Sequence, residues 1–353
     1  MMKIKQILLL AATFSAACLL LIFPSAAAAG AKNGIGYCLQ ILVPSLYPFM
    51  VLSVFVVKCG LSEKIGRLFE APAHAVLKLP GSTAATILMS MIGGYPTGAR
   101  SVAALYENGS ISEGQAARML CFCVNSGPAF VISAVGAGFL KSQQAGVILF
   151  ASQILASFLL GLISGITAKD EPARKSVHKL KPLKTANALI ASASDAAHAM
   201  ISMCCFVVLF AALLNLLRLW VTSPRSAAVL SGLLEVTGGC SDFAKLGMPL
   251  WTVSFIIGWG GICVHFQVLS SVEKIQVGLP RFLLFRLLHG TFAALITAGL
   301  VRAFPLSEEV FSNTAAPLAA NFSGSIPAAT ALIALCAAFV FSLPHEKLEI
   351  EKY

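Results

Sequence analysis

Residues 89–101 read MSMIGGYPTGARS. An apolar helical run ends there in Gly93-Gly94-Tyr95-Pro96-Thr97-Gly98, where glycine lowers helix propensity and proline removes a backbone donor. Only about ten apolar residues flank the break on each side, so each arm reaches about 15 Å, half of a hydrocarbon core about 30 Å thick. The piece 83–107 therefore reads as a helical hairpin that enters and leaves a bilayer on one face. A second such piece is 226–247, SAAVLSGLLEVTGGCSDFAKLG, interrupted at Thr237-Gly238-Gly239.

The surroundings of these two pieces are those of a membrane protein. Of 353 residues, 58% are hydrophobic and 11% charged, against about 25% charged in a soluble domain. Apolar runs of spanning length recur at 6–29, 35–57, 116–139, 144–168, 196–221, 249–270, 282–303 and 326–343. The fold class expected is an all-α polytopic membrane protein, with about eight spanning helices plus two re-entrant hairpins in an inverted repeat. The basic N-terminal start followed by an Ala-rich run also fits a cleaved signal peptide, but the run from Ile7 to Phe23 is longer than a usual signal core, which favours a retained span. The ten cysteines lie mostly in apolar segments without paired C-x-x-C sets, and neither disulfides nor a metal site is expected.

Charge orders the plan. With both pieces as hairpins, 19 of the 25 Lys and Arg fall on one face and 6 on the other, which satisfies the excess of cytoplasmic cations seen in membrane proteins. Arg118, Arg281 and Arg286 are counted on the cytoplasmic side. The net charge of +10 then signals topology, and nucleic acid is not an expected partner. The organisation read is N-terminal spans within 1–58; a first repeat over 60–168, made of hairpin 83–107, interrupted helix 116–139 and helix 144–168; a basic linker 169–185; a scaffold helix 186–221; a second repeat over 226–303, made of hairpin 226–247, interrupted helix 249–270 and helix 282–303; and a last span at 326–343. Inverted repeats with broken helices are the architecture of secondary transporters.

The interrupted helices break at Asn125-Ser126-Gly127-Pro128 and at Gly258 to Gly261. Backbone groups freed in mid-membrane cost several kcal/mol each against lipid, so such breaks persist only against protein or a wet cavity. Two tips and two breaks meeting near the midplane would form one pocket, with helix N-termini suited to an anion such as a carboxylate. The candidate substrate-binding residues are Gly94, Tyr95, Thr97, Gly98, Asn125, Ser126, Gly127, Thr237, Gly238, Gly239, Gly260, Gly261, His265 and Gln267. Glu235, a carboxylate at membrane depth, is read as binding a coupling ion, H+ or Na+, the rival being a pairing with Arg or His. His265 is equally a satisfied interior histidine, and Tyr95 a packing residue. Ser112-Glu113-Gly114-Gln115 reads as a capping box. No G-x-S-x-G, H-E-x-x-H or P-loop motif occurs, so neither an enzyme nor a cofactor is expected, and a homo-oligomer is compatible with the chain.

The segments GGYPTGAR, CFCVNSGPAFVISAVG, LLEVTGGC, GGICVHFQVLS and LVPSLYPFMVLS, in this order along about 35–300 apart from the last, which precedes them, resemble the YlbJ-like sporulation integral membrane proteins. That group is placed with the nucleoside-recognition (Gate) domain membrane proteins, which include the concentrative nucleoside transporters. The resemblance implies a role in endospore formation, in a forespore membrane, with transport of dipicolinic acid, a small planar dicarboxylate. The alternatives are a nucleoside or nucleobase transporter and a non-transporting membrane scaffold. At the first tip the nucleoside transporters carry a Gln-Thr-Glu type sequence where this chain has Gly94-Tyr95-Pro96-Thr97-Gly98, while Glu235 stands where their second hairpin has a substrate-contacting acid.

Overall fold

The structure, a computed structural model, describes residues 4–61, 64, 70–107, 109–166, 168 and 183–306. Among them every regular element is a helix. Five stretches are long and apolar enough to cross a membrane: Pro24–Val56, Gln143–Ile166, Thr185–Leu217, Leu250–Ser271 and Leu279–Ala303. Many large apolar side chains on these helices are exposed, such as Leu189, Ile190 and Ile201 on one and Leu284, Leu287 and Leu295 on another. In water such surface would be costly, whereas lipid covers it. The expected span at 326–343 and most of the linker 169–185 lie outside the described residues.

The N-terminal boundary differs from the expectation. Instead of spans at 6–29 and 35–57, helix α1 (Ile4–Ile22) stops at Phe23, and α2 (Pro24–Tyr37) runs on through a π-helical turn (Cys38–Leu42) into α3 (Val43–Lys58). Pro24 is the cause: the residue before proline is pushed out of the α region, here to φ −120°, and proline itself suits the first helical position. Two glycines of α2 serve packing. A Cβ on Gly30 would lie 2.5 Å from Ala211 O, and one on Gly34 would lie 2.9 Å from Val208 Cα. Spaced four apart, they let α2 close on a long helix (Thr185–Leu217), as small-residue pairs do in membranes.

After α4 (Glu70–Leu77) come α5 (Ala84–Gly93) and α6 (Tyr95–Glu107), which pack on one another. Helix α7 (Glu113–Leu120) starts at a capping box: Ser112 Oγ accepts from Gln115 N at 3.1 Å, and Gln115 Oε1 accepts from Ser112 N at 2.9 Å. The chain is non-helical from 121 to 127, then forms a π-helix (Ala129–Phe139) and α8 (Gln143–Ile166). Helix α9 is Thr185–Leu217, followed by α10 (Pro224–Leu234) and α11 (Val236–Lys245), again packed on each other. Last are α12 (Leu250–Trp259), α13 (Gly261–Ser271) and α14 (Leu279–Ala303).

Polar contacts tie the loops together. Arg118 donates to Lys78 O at 2.7 Å, Gln276 N donates to Glu113 Oε1 at 2.8 Å, and Lys274 pairs with Glu107 at 2.9 Å. Arg218, just after α9, pairs with Asp242 on α11. Two of the cations assigned to cytoplasmic loops prove to be interior. Arg118 is 6% exposed and Arg286 fully buried, because both guanidiniums answer backbone carbonyls.

Candidate functional site

Both helical pairs turn on a single non-helical residue. At the first tip Gly94 has φ +81° and ψ −179°, a conformation open to glycine alone. At the second, Glu235 is extended and its carboxylate caps α11, accepting from Thr237 N at 2.8 Å and Gly238 N at 2.6 Å. The helix breaks lie against these tips. A Cβ on Gly127 would sit 2.8 Å from Ile92 O and 3.2 Å from Gly94 N, and one on Gly261 would sit 3.0 Å from Leu234 O and 3.1 Å from Glu235 N. Each tip therefore meets the break that follows it, backbone to backbone.

Tyr95 joins the two sets. Its hydroxyl donates to Ile257 O on α12 at 2.6 Å and accepts from Ser126 at the first break. Between the tips lies a cavity of about 30 Å³, lined by Gly93 to Pro96, Gly127, Glu235 to Thr237, Val264 and Gln267, with Leu42, Leu46, Phe130, Met203 and Val207 as an apolar wall. That volume holds a water or two and excludes a ring compound.

Of the residues expected at the site, Gly94, Tyr95, Gly127, Glu235, Thr237 and Gln267 line this cavity. The others do other work. Thr97 gives its hydroxyl to Gly93 O at 2.9 Å, Gly98 packs against Cys123 O, and Gly239 packs against Gly232. Ser126 reaches the cavity only through Tyr95, and Asn125 donates to Phe122 O at 2.9 Å and Ser90 Oγ at 3.3 Å. Gly260, at φ +85°, and Gly261 form the break itself. His265 stands apart from the cavity, its Nε2 at 2.9 Å from Trp259 O and its ring between Trp259 and Phe282. Gly238 faces a second cavity.

Arg286 is the main residue that the sequence reasoning missed. Buried on α14, it donates to Val124 O and, at 3.2 Å, to Cys121 O, and lies 2.9 Å from His289 Nδ1. It satisfies the carbonyls that the first break sets free and places a cation behind that break. An arginine inside an apolar span was the available signal. The apolar wall carried none, since Leu, Met and Val are everywhere in the chain.

Fold and site together define an all-helical integral membrane protein in which two helix tips and the first helix break line one cavity. Over 312 residues, 77% of the chain, it is 24% identical to the sporulation integral membrane protein YlbJ of Bacillus subtilis (strain 168), covering 76% of that protein. No family model and no solved structure matches the chain.

Proposed function

We propose that this protein is a secondary transporter of a small carboxylate, dipicolinic acid in a forespore membrane, working by alternating access of two inverted, re-entrant hairpin repeats. The observation that carries this reading is the shared cavity: both tips and the first break line it, and the second break packs directly behind the second tip. Uninterrupted helices would leave no polar backbone there, and polar backbone in a membrane interior is kept where it faces a cavity. A cavity of about 30 Å³ is too small for a planar ring, which enters only when the tips part. The similarity to a sporulation membrane protein supports the cellular setting.

The coupling follows from Glu235. Its carboxylate occupies the N-terminal donors of α11, Thr237 N and Gly238 N. A cargo carboxylate competes for the same donors, which a helix N-terminus offers to any anion. Protonation of Glu235 weakens it as an acceptor and yields the donors to the cargo, so proton and cargo bind together. The test is uptake into proteoliposomes, with labelled dipicolinate and labelled nucleosides offered separately. Dipicolinate should accumulate under a proton gradient, and Glu235→Gln should abolish accumulation while retaining exchange of cargo across the membrane. Uptake of nucleosides alone would refute the cargo; uptake of neither would favour the non-transporting scaffold.

A further inference from the structure

A second cavity, of about 40 Å³, is also lined by Glu235 but shares none of the other residues lining the first. Three helices present one face each to it: Gly30, Asn33 and Tyr37 on α2; Ala211, Leu214, Asn215 and then Arg218 at the end of α9; Glu235, Gly238 and Asp242 along α11. These spacings of three, four and seven are those of a single helical face. Asp242 lies seven residues from Glu235, about 10 Å along the axis, so the cavity runs from the Arg218–Asp242 ion pair at one end of the bundle to the buried carboxylate.

Two observations give this space a content. Ser231 Oγ, fully buried, and Arg218 Nε both line it and have no protein partner. Buried polar atoms of this kind are ordinarily satisfied by water, and 40 Å³ admits a water or two. Gly238 leaves the necessary room: a Cβ there would stand 3.2 Å from Glu235 Oε2 and 3.3 Å from Ser231 Oγ. Glycine thus keeps a side chain from standing between these two oxygens.

We propose that this cavity is a hydrated passage through which Glu235 exchanges its proton with the aqueous face at the α9 C-terminus, separately from the cargo cavity, and that the Arg218–Asp242 pair is its gate. The proposal rests on the reading of Glu235 as the proton-coupling group. The ionisable groups facing Glu235 are Asp242 and Cys240 on α11, Arg218 after α9, Tyr37 and Cys38 at the end of α2, Tyr95 on α6 and Cys263 on α13. Arg218, the cation of this set, is held by Asp242.

The test follows the Glu235 carboxyl directly. Infrared spectra of the full chain in lipid vesicles, with Glu235→Gln as the difference reference, give the rate at which that carboxyl band responds to a step in external pH, with no cargo present. Asn215→Leu, which dries the passage, should slow the response tenfold or more, and Arg218→Gln, which opens the gate, should speed it. Val207→Phe, which fills the cargo cavity instead, should leave the rate unchanged. A rate indifferent to Asn215→Leu and Arg218→Gln, or one slowed by Val207→Phe alone, overturns the proposal. If dipicolinate uptake fails while the carboxyl still follows this route, the route stands and the transport reading alone falls.

Discussion

Replacing Gly98 by alanine tests how tightly the first tip is set against its break. A Cβ there would lie 1.9 Å from Cys123 O and 2.9 Å from Ser90 Cβ, where ordinary contact begins near 3.4 Å. The obstacle is backbone on one side and a packed helix on the other, so α6 and residue 123 must part by about 1.5 Å, a shift no rotamer absorbs. Overpacking of this kind costs about 1–3 kcal/mol and sometimes more, and the intrinsic helix gain of alanine over glycine returns about 1 kcal/mol. A net loss of up to about 2 kcal/mol would lower the thermal midpoint by up to about 4–8 °C, scaling from domains somewhat smaller than this one. The assay is thermal unfolding in mild detergent with a thiol-reactive dye, since Cys121, Cys123, Cys240 and Cys263 are buried and label only as the fold opens. Gly36→Ala is the control: it also sits within a helix, nothing lies within 4 Å of its added Cβ, and its midpoint should hold or rise. Uptake should fall with Gly98→Ala because the break that lines the cavity is displaced. A Gly98→Ala protein that melts with the wild type and transports normally would refute the contact and with it the placing of the tip.

Arg286→Met keeps the bulk but orphans Val124 O and Cys121 O; at about 1–3 kcal/mol for each buried acceptor left without its donor, a loss of about 2–4 kcal/mol is expected by the same dye assay, with faster labelling of Cys121 and Cys123 already below the midpoint. Tyr95→Phe removes the bond to Ile257 O and should cost about 1–2 kcal/mol, read as a lower midpoint with cargo affinity retained. Gly30→Leu drives a side chain into Ala211 O at 2.5 Å and should separate α2 from α9, seen as loss of folded, monodisperse protein on size exclusion, whereas Gly36→Leu should not.

The helix breaks were legible because glycine and proline are visible against apolar sequence: the first tip, at residue 94, and the breaks at 121–127 and 260 overlap the interruptions read there, while the second tip falls at residue 235, two residues before the Thr237-Gly238-Gly239 interruption. The capping box at Ser112 was legible for a similar reason, since its two bonds are local. What needed the structure was the meaning of residues whose partners lie far along the chain. The packing role of Gly30 and Gly34 shows only once α9 is seen against them, and Pro24, which lies inside the expected span 6–29, sets the true boundary. Arg286 read as a loop cation because it stands near a helix start, yet its acceptors are 162 and 165 residues away. Thr97 and His265 carry the right chemistry for a site, but both spend it locally, on Gly93 O and Trp259 O.

The two halves share a backbone plan and differ in charge, and the difference gives the cavity a polarity. Each tip lies against the following break through one close glycine, Gly127 or Gly261. At the first break, however, the freed carbonyls are held by the Arg286 guanidinium, while at the second tip the freed N–H groups are held by the Glu235 carboxylate. A cation thus backs one wall and an anion forms part of the other. Under the proposed transport reading, an incoming carboxylate is drawn toward the first wall and must displace or neutralise the acid on the second, a requirement that low dielectric makes steep and that protonation of Glu235 removes.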